Sequence, residues 1–426
     1  MRLTILNGRV VDPASGTDTI APLHVADGRI AAIGQAPAGF VAQNTLDARG
    51  LVVAPGLVDL AARLREPGFE YRATLESEMQ AALAGGVTSL SCPPDTDPPL
   101  DEPGLVEMLK HRARGLDGAQ LFPLGALTVG LKGDVITEMA ELAEAGCVGF
   151  SAGAEIAIDT QTLLRSMLYA KTFGFTVWLQ PQDPQLARGG VAHAGPVAGR
   201  LGLPGVPVVA ETVALHTVFE LVRATGCRVH LCRLSSGAGV ELVRRAKAEG
   251  LPVTCDVAVH HLHLIDVDIG WFDSHYRVHP PFRAQRDRDA IRAAVADGTV
   301  DAICSDHTPV DDDAKLMPFS EAEPGVTALE LLLPLTLKWA SEAGVPLPAA
   351  LAKITCAAAP ILGVDAGRLQ PGAPADLCLF DPAEHWVVER DRLRSQGKHT
   401  PYLGRELEGR VRATVVAGRV VFSRPA

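Results

Sequence analysis

Between residues 55 and 362 the chain alternates short, apolar, β-prone runs with Ala/Leu-rich stretches of helical period, and that alternation leaves few folds open. Eight strand candidates fall at 57–60, 88–91, 121–127, 148–151, 176–179, 229–231, 252–256 and 302–305. Eight parallel strands are what a sheet needs to close on an interior filled by side chains. The stretches between them are amphipathic. Across 239–249, Val240, Leu242, Val243 and Ala246 make one face and Glu241, Arg244, Arg245 and Lys247 the other. The reading is α/β, a (β/α)8 TIM-type barrel over 55–362. Short β-type runs from Leu3 to about Val53 are punctuated by Asn7-Gly8, Asp27-Gly28 and Arg49-Gly50 at hairpin spacing, and similar runs recur in 367–381 and 411–422. They imply a small β-sandwich domain built from both termini, 1–54 together with 363–426.

Composition excludes several partners. With 47% hydrophobic and 21% charged residues the chain is of ordinary globular make-up, and no apolar run approaches the roughly 18 to 20 residues of a membrane span. A formal net charge of -11 and a pI near 5.6 argue against nucleic acid or an anionic membrane as partner. Residues 1–8 enter a strand pattern directly, with no apolar core of a secretory signal. Eight Cys are scattered without a Cys-x-x-Cys pair, which reads as reduced core thiols in a cytoplasmic protein.

In such a barrel chemistry belongs to the C-terminal strand ends. The first is Pro55-Gly56-Leu57-Val58-Asp59-Leu60-Ala61-Ala62-Arg63-Leu64-Arg65-Glu66-Pro67-Gly68. It resembles the dihydroorotases of the amidohydrolase superfamily, whose strand reads Asp-x-His-x-His-x-Arg-Glu-Pro-Gly. Two His at i and i+2 share a face and can grip one metal ion. Here Ala61 and Arg63 stand in their places, while Asp59, Arg65, Glu66, Pro67 and Gly68 match. The resemblance runs from Leu3 to Phe422 and implies a zinc centre in active relatives that deprotonates water and polarises a cyclic amide, with an Asp moving the proton. Each further ligand motif is altered. Phe-Ser-Asp-Asp-Gly is Phe150-Ser151-Ala152-Gly153, and His-Ala-Glu-Asp is Gln180-Pro181-Gln182-Asp183. His-x-x-His-Val-Ser is His230-Leu231-Cys232-Arg233-Leu234-Ser235. Strand eight keeps Cys304-Ser305-Asp306-His307-Thr308-Pro309, where Asp306 matches the metal-binding, general-base Asp.

The resemblance makes Arg65 a vestigial substrate-carboxylate site. Its partner Asn is Asp95, an acid that would repel an anion, and the Asn of Asn-Pro-Pro-Leu-Arg is His279. With Ala61, Arg63, Ala152, Gln180 and Arg233 at ligand positions, the expectation is no catalytic residue and no cofactor, zinc included. Arg63 or Arg233 should then pair with Asp306 in the space of the metals, because a buried carboxylate needs a counter-charge. His230 and His307 read as satisfied core histidines. His261 and His263, on one face of Val259-His260-His261-Leu262-His263, leave a relocated metal site open, and Arg65 either binds a ureido acid or steadies its loop through Glu66. Three functions stay open. One is a noncatalytic dihydroorotase homologue of the kind that serves as a structural subunit of aspartate transcarbamoylase in pyrimidine biosynthesis, homo-oligomeric within that assembly. The others are an amidohydrolase with a divergent metal set and a small-molecule-binding regulator using the Arg65 pocket.

Overall fold

The computed structural model describes residues 2–116, 118–154 and 158–424. All eight expected barrel strands form: β1 (Leu57–Asp59), β2 (Val87–Cys92), β3 (Gln120–Ala126), β4 (Gly149–Ser151), β5 (Thr176–Leu179), β6 (Arg228–Leu231), β7 (Val253–Ala258) and β8 (Ala302–Cys304). They pair in parallel, each with the next in sequence. The ring closes through a parallel bridge between Ala62 and His307, where Arg63 N–H donates to His307 O at 2.8 Å and His307 N–H to Ala61 O at 3.1 Å. Below the seam the Asp59 carboxylate takes the Ser305 N–H at 2.8 Å and the Ser305 hydroxyl at 2.5 Å.

The helices form where their periodicity puts them. The one expected at 239–249 spans Gly237–Ala248, with Val240, Val243 and Ala246 buried, and starts two residues earlier because Ser236 caps it through Gly239 N–H at 3.0 Å. No helix among the described residues is long and apolar enough to cross a membrane.

Strands from both termini interleave outside the barrel. A six-stranded sheet joins Val52–Pro55 to Leu377–Val387 antiparallel and to Arg9–Asp12 parallel, and a four-stranded sheet holds Arg2–Leu6 between Leu23–Ala26 and Asn44–Asp47. Asp27-Gly28 is a hairpin turn, joining Leu23–Ala26 to Arg29–Ile33. Asn7-Gly8 and Arg49-Gly50 are not, because the strands on either side of each lie in different sheets. At the first, Asn7 takes φ 63° and a Cβ on Gly8 would come within 2.5 Å of Val53, so the chain steps from sheet to sheet there. The eight Cys are free thiols, and all but Cys356 are buried.

Candidate functional site

Strand β1 runs out through Arg63 and Arg65 into Glu66-Pro67-Gly68. Gly68 has φ +94° and a Cβ there would lie 2.1 Å from Asp97 O, so this turn admits only glycine. Glu66 is spent on two neighbouring helices, accepting Leu75 N–H at 2.7 Å from one and pairing with Arg112 of the other at 2.7 Å. Arg65 does not act through Glu66; its Nε donates to Pro309 O at 2.8 Å.

At the barrel mouth the lost ligand positions are filled in two ways. Ala61 packs into an apolar layer with Leu124, Trp178, Cys232 and Ala258, and Ala152 is half-buried against the main core. Arg63 and Arg233 instead put guanidiniums where cations would sit. Arg63 Nε donates to Asp95 Oδ2 at 2.9 Å, and its Nη1 to Thr308 Oγ1 at 2.9 Å while lying 3.7 Å from Asp306 Oδ1. Arg233 Nε donates to Gln180 Oε1 at 3.1 Å and lies 3.5 Å from the same Asp306 oxygen. One of these arginines is expected to answer Asp306, and both reach it. Asp95, expected as a repulsive acid, is neutralised by Arg63, so two guanidiniums face two carboxylates.

Both contacts to Asp306 are Coulombic rather than hydrogen-bonded, and its Oδ1 has no hydrogen-bond donor. Burial accordingly pushes the Asp306 carboxyl up to about 6 against the pull of Arg233 and Arg63. Asp95 is only half-buried, and the closer Arg63 contact outweighs its desolvation and holds it below its ordinary range. Burial opposes the charge on Arg233, but Asp306 keeps that guanidinium above its usual value. Residues at this mouth do not fit a binuclear metal centre: two positions carry permanent positive charge and the Gln180 oxygen is committed to Arg233.

Above the cluster lies a cavity of about 710 Å³, bordered by Arg65, Arg72, Arg277, His279 and Glu323 as well as Arg63, Asp95 and Asp306. Arg72 is taken up by Glu323 in a two-point pair at 2.8 and 2.9 Å. Arg65 and Arg277 have no carboxylate within 4.0 Å among the described residues, and burial lowers both, Arg65 to about 10. His279 is driven down to about 3 by burial, so it is neutral, and its Nε2 faces Ala154 O at 3.3 Å.

The expectation of no metal site needs correcting one layer deeper. His230, Cys232 and Asp256 present ligand atoms all within 4.8 Å of one another in the buried barrel interior, a donor set of zinc type. The relocated site left open at His261 and His263 does not form. His263 Nε2 bonds Leu335 O at 2.9 Å, and the His261 ring packs at a tilt against His260 and Phe282. Within the group His230 Nε2 meets Asp256 Oδ2 at 2.9 Å and Nδ1 meets Thr254 Oγ1 at 2.9 Å. Burial raises the Cys232 thiol well above its ordinary range, so an ion binding there must displace its proton. The sequence carried a signal for this group: His230-x-Cys232 shares one face of a strand, and β6 pairs with β7, which supplies Asp256. His230 and His307 are satisfied core histidines, as expected; His307 Nε2 meets Glu78 Oε2 at 2.5 Å.

An eight-stranded parallel barrel with a terminal β-sandwich and a strand-end site defines the amidohydrolase class, and comparison with known proteins agrees. Residues 50–238 match the family described as Dihydro-orotase-like, and residues 233–422 match the Amidohydrolase family. The chain is 47% identical over 420 residues, 99% of both chains, to the "Dihydroorotase-like protein" of Pseudomonas aeruginosa. It is 38% identical, over 99% of both chains, to the "Dihydroorotase" of Geobacter sp. (strain M21). The L-hydantoinase (dihydropyrimidinase) from Arthrobacter aurescens shares the fold, with a TM-score of 0.88 at 24% identity over 99% of this chain and 96% of that one. The chain belongs to the dihydroorotase-like amidohydrolases.

Proposed function

We propose that this protein is a noncatalytic dihydroorotase homologue that works as a structural subunit of aspartate transcarbamoylase. The observation that carries the reading is the Arg63–Asp306–Arg233 cluster. Opening or closing a cyclic amide needs a nucleophilic water held beside a base that is free to take its proton. Here the base position, Asp306, is flanked by two guanidiniums at 3.5 and 3.7 Å, and Ala61 and Ala152 offer no atom to hold a water. The rest of the barrel is intact to its closing seam, which favours a use for its surface over a use for its mouth. The assembly role itself follows from the resemblance to the noncatalytic homologues.

Purified protein supplied with Zn2+ is expected not to interconvert carbamoyl aspartate and dihydroorotate above the uncatalysed rate, in either direction. Turnover that follows added Zn2+ and disappears in Cys232→Ser would overturn this and support an amidohydrolase built on the His230 group. Co-expression with the transcarbamoylase catalytic chain should give one complex on size-exclusion chromatography, and two separate peaks would rule the assembly role out. A second reading is favoured by Arg65 and Arg277, guanidiniums without carboxylate partners on a roomy cavity: binding of a small carboxylate as a regulatory ligand. A rise in melting temperature with carbamoyl aspartate, lost in Arg65→Met, would support it.

A further inference from the structure

We infer that the rim of the barrel mouth formed by residues 266–274 and 313–317 is a docking face for a different protein, one presenting an apolar groove edged by Lys and Arg. The inference rests on the assembly reading above and gives it a surface. Five large apolar side chains face solvent here: Trp271 at 87% exposure, Leu316 at 79%, Val267 at 51%, Met317 at 48% and Phe272 at 38%. Single exposed apolar residues are ordinary, but a cluster led by tryptophan is the composition of an interface centre.

The two loops that carry them are joined and stiff. Ser274 Oγ donates to Lys315 O at 2.5 Å, and the buried Lys315 ammonium donates to Arg277 O at 2.9 Å and Glu323 O at 2.7 Å. Within the first loop Gly270 N–H bonds Val267 O and Asp273 N–H bonds Ile269 O, both at 3.1 Å, while Asp268 Oδ2 accepts Ile265 N–H at 2.8 Å. Trp271 and Phe272 meet edge to face at 5.7 Å. The aromatic pair is thus held outward before any partner arrives, which spares most of the ordering cost of binding.

Charge decides the kind of occupant. Asp268, Asp273, Asp311, Asp312 and Asp313 flank the apolar side chains in the two loops. Asp273 is 49% and Asp312 75% exposed; Asp273 meets the His275 ring, and Asp312 meets Arg390 and, at 3.4 Å, the His399 ring. A second copy docking face to face would set these carboxylates against one another, and an anionic lipid surface would be repelled in the same way. A partner whose apolar groove is edged by guanidinium and ammonium groups satisfies both features.

The test uses the full chain co-expressed with the transcarbamoylase catalytic chain. Wild type should co-elute with it, more weakly as salt is raised. The double variant Trp271→Glu, Leu316→Glu should bind at least about tenfold more weakly with an unchanged melting temperature. Ile20→Glu, 74% exposed on the sandwich, should bind as wild type does. A double variant that binds like wild type overturns the docking face and leaves the assembly reading standing. A wild-type chain that elutes alone sinks the assembly reading, and the docking face with it.

Discussion

Replacing Arg233 by Met is expected to lower the free energy of unfolding by about 3–5 kcal/mol, the cost of stranding a buried charge. Arg233 is 5% exposed, and its guanidinium is the nearer of the two that balance Asp306. Without it the one guanidinium left to that carboxylate is Arg63, whose stronger commitment is to Asp95 at 2.9 Å, while the His260 ring at 3.8 Å is held neutral by burial. The loss should depend on pH in a definite direction. Asp306 in the folded chain titrates at about 6, above its ordinary 3.8, so near pH 5 it is largely neutral and needs its partner less. Near pH 8 it is charged and the full penalty applies. Denaturant unfolding at both pH values measures the difference. The double variant Arg233→Met, Asp306→Asn should regain part of the loss, since both halves of the pair are then gone. Equal losses at the two pH values, or strictly additive single and double variants, would mean that the cluster does not work as a charge pair.

Glu78→Ala is expected to cost a similar amount, about 3–5 kcal/mol, and for a different structural reason. Glu78 is fully buried on the helix Leu75–Ala84. Its Oε2 meets His307 Nε2 at 2.5 Å, and its Oε1 accepts Gln396 N–H at 3.0 Å and Ser77 Oγ–H at 2.8 Å. Ala328 N–H donates to His307 Nδ1 at 3.0 Å, which fixes the ring proton on Nε2, facing Glu78. Burial alone would raise the Glu78 carboxyl, but the His307 contact and the other donors outweigh it and hold it below its ordinary 4.5. A depressed carboxyl stabilises the fold fully above 4.5 and loses that contribution as pH falls through its folded value. Glu78→Gln can still accept from His307, so it should lose less than half as much as Ala, and its deficit against wild type should shrink below pH 4.5. A Gln variant as unstable as Ala would show that shape, not charge and acceptor geometry, sets the role of Glu78.

These two clusters mark what a sequence can and cannot disclose. The eight strands were legible because buried parallel strands write short apolar runs and their helices write a 3.6-residue period, and both signals are local. The sheet change at Asn7-Gly8 was hidden, since a turn signal does not say whether the strands on either side pair with each other. Of the strand-and-turn stretch expected at 367–381, only the part from Leu377 on is strand, because Pro371-Gly372 and Pro374 break the run before it. At the site, the positions of Ala61, Arg63, Ala152, Gln180 and Arg233 could be read from the resemblance, and the pairing of at least one arginine with Asp306 followed from charge balance, whereas the reach of both did not. The neutralisation of Asp95 by Arg63 and the convergence of Cys232 with Asp256 depend on which side chains meet across neighbouring strand ends, a long-range matter.

The Glu78 clamp also sets a timetable for the chain as it leaves the ribosome. Its carboxylate sits on the first barrel helix, yet its partner amide, on Gln396, lies 318 residues further on. At roughly 5 to 20 residues per second that partner follows about 15 to 60 seconds later. Until Ala302–Cys304 is made β1 lacks the eighth strand that closes the ring, and until Leu377–Val387 is made Val52–Pro55 lacks the strand that pairs with it. The nascent chain therefore carries open strand edges until those segments emerge, and the Glu78 clamp locks only after translation of the barrel itself is finished.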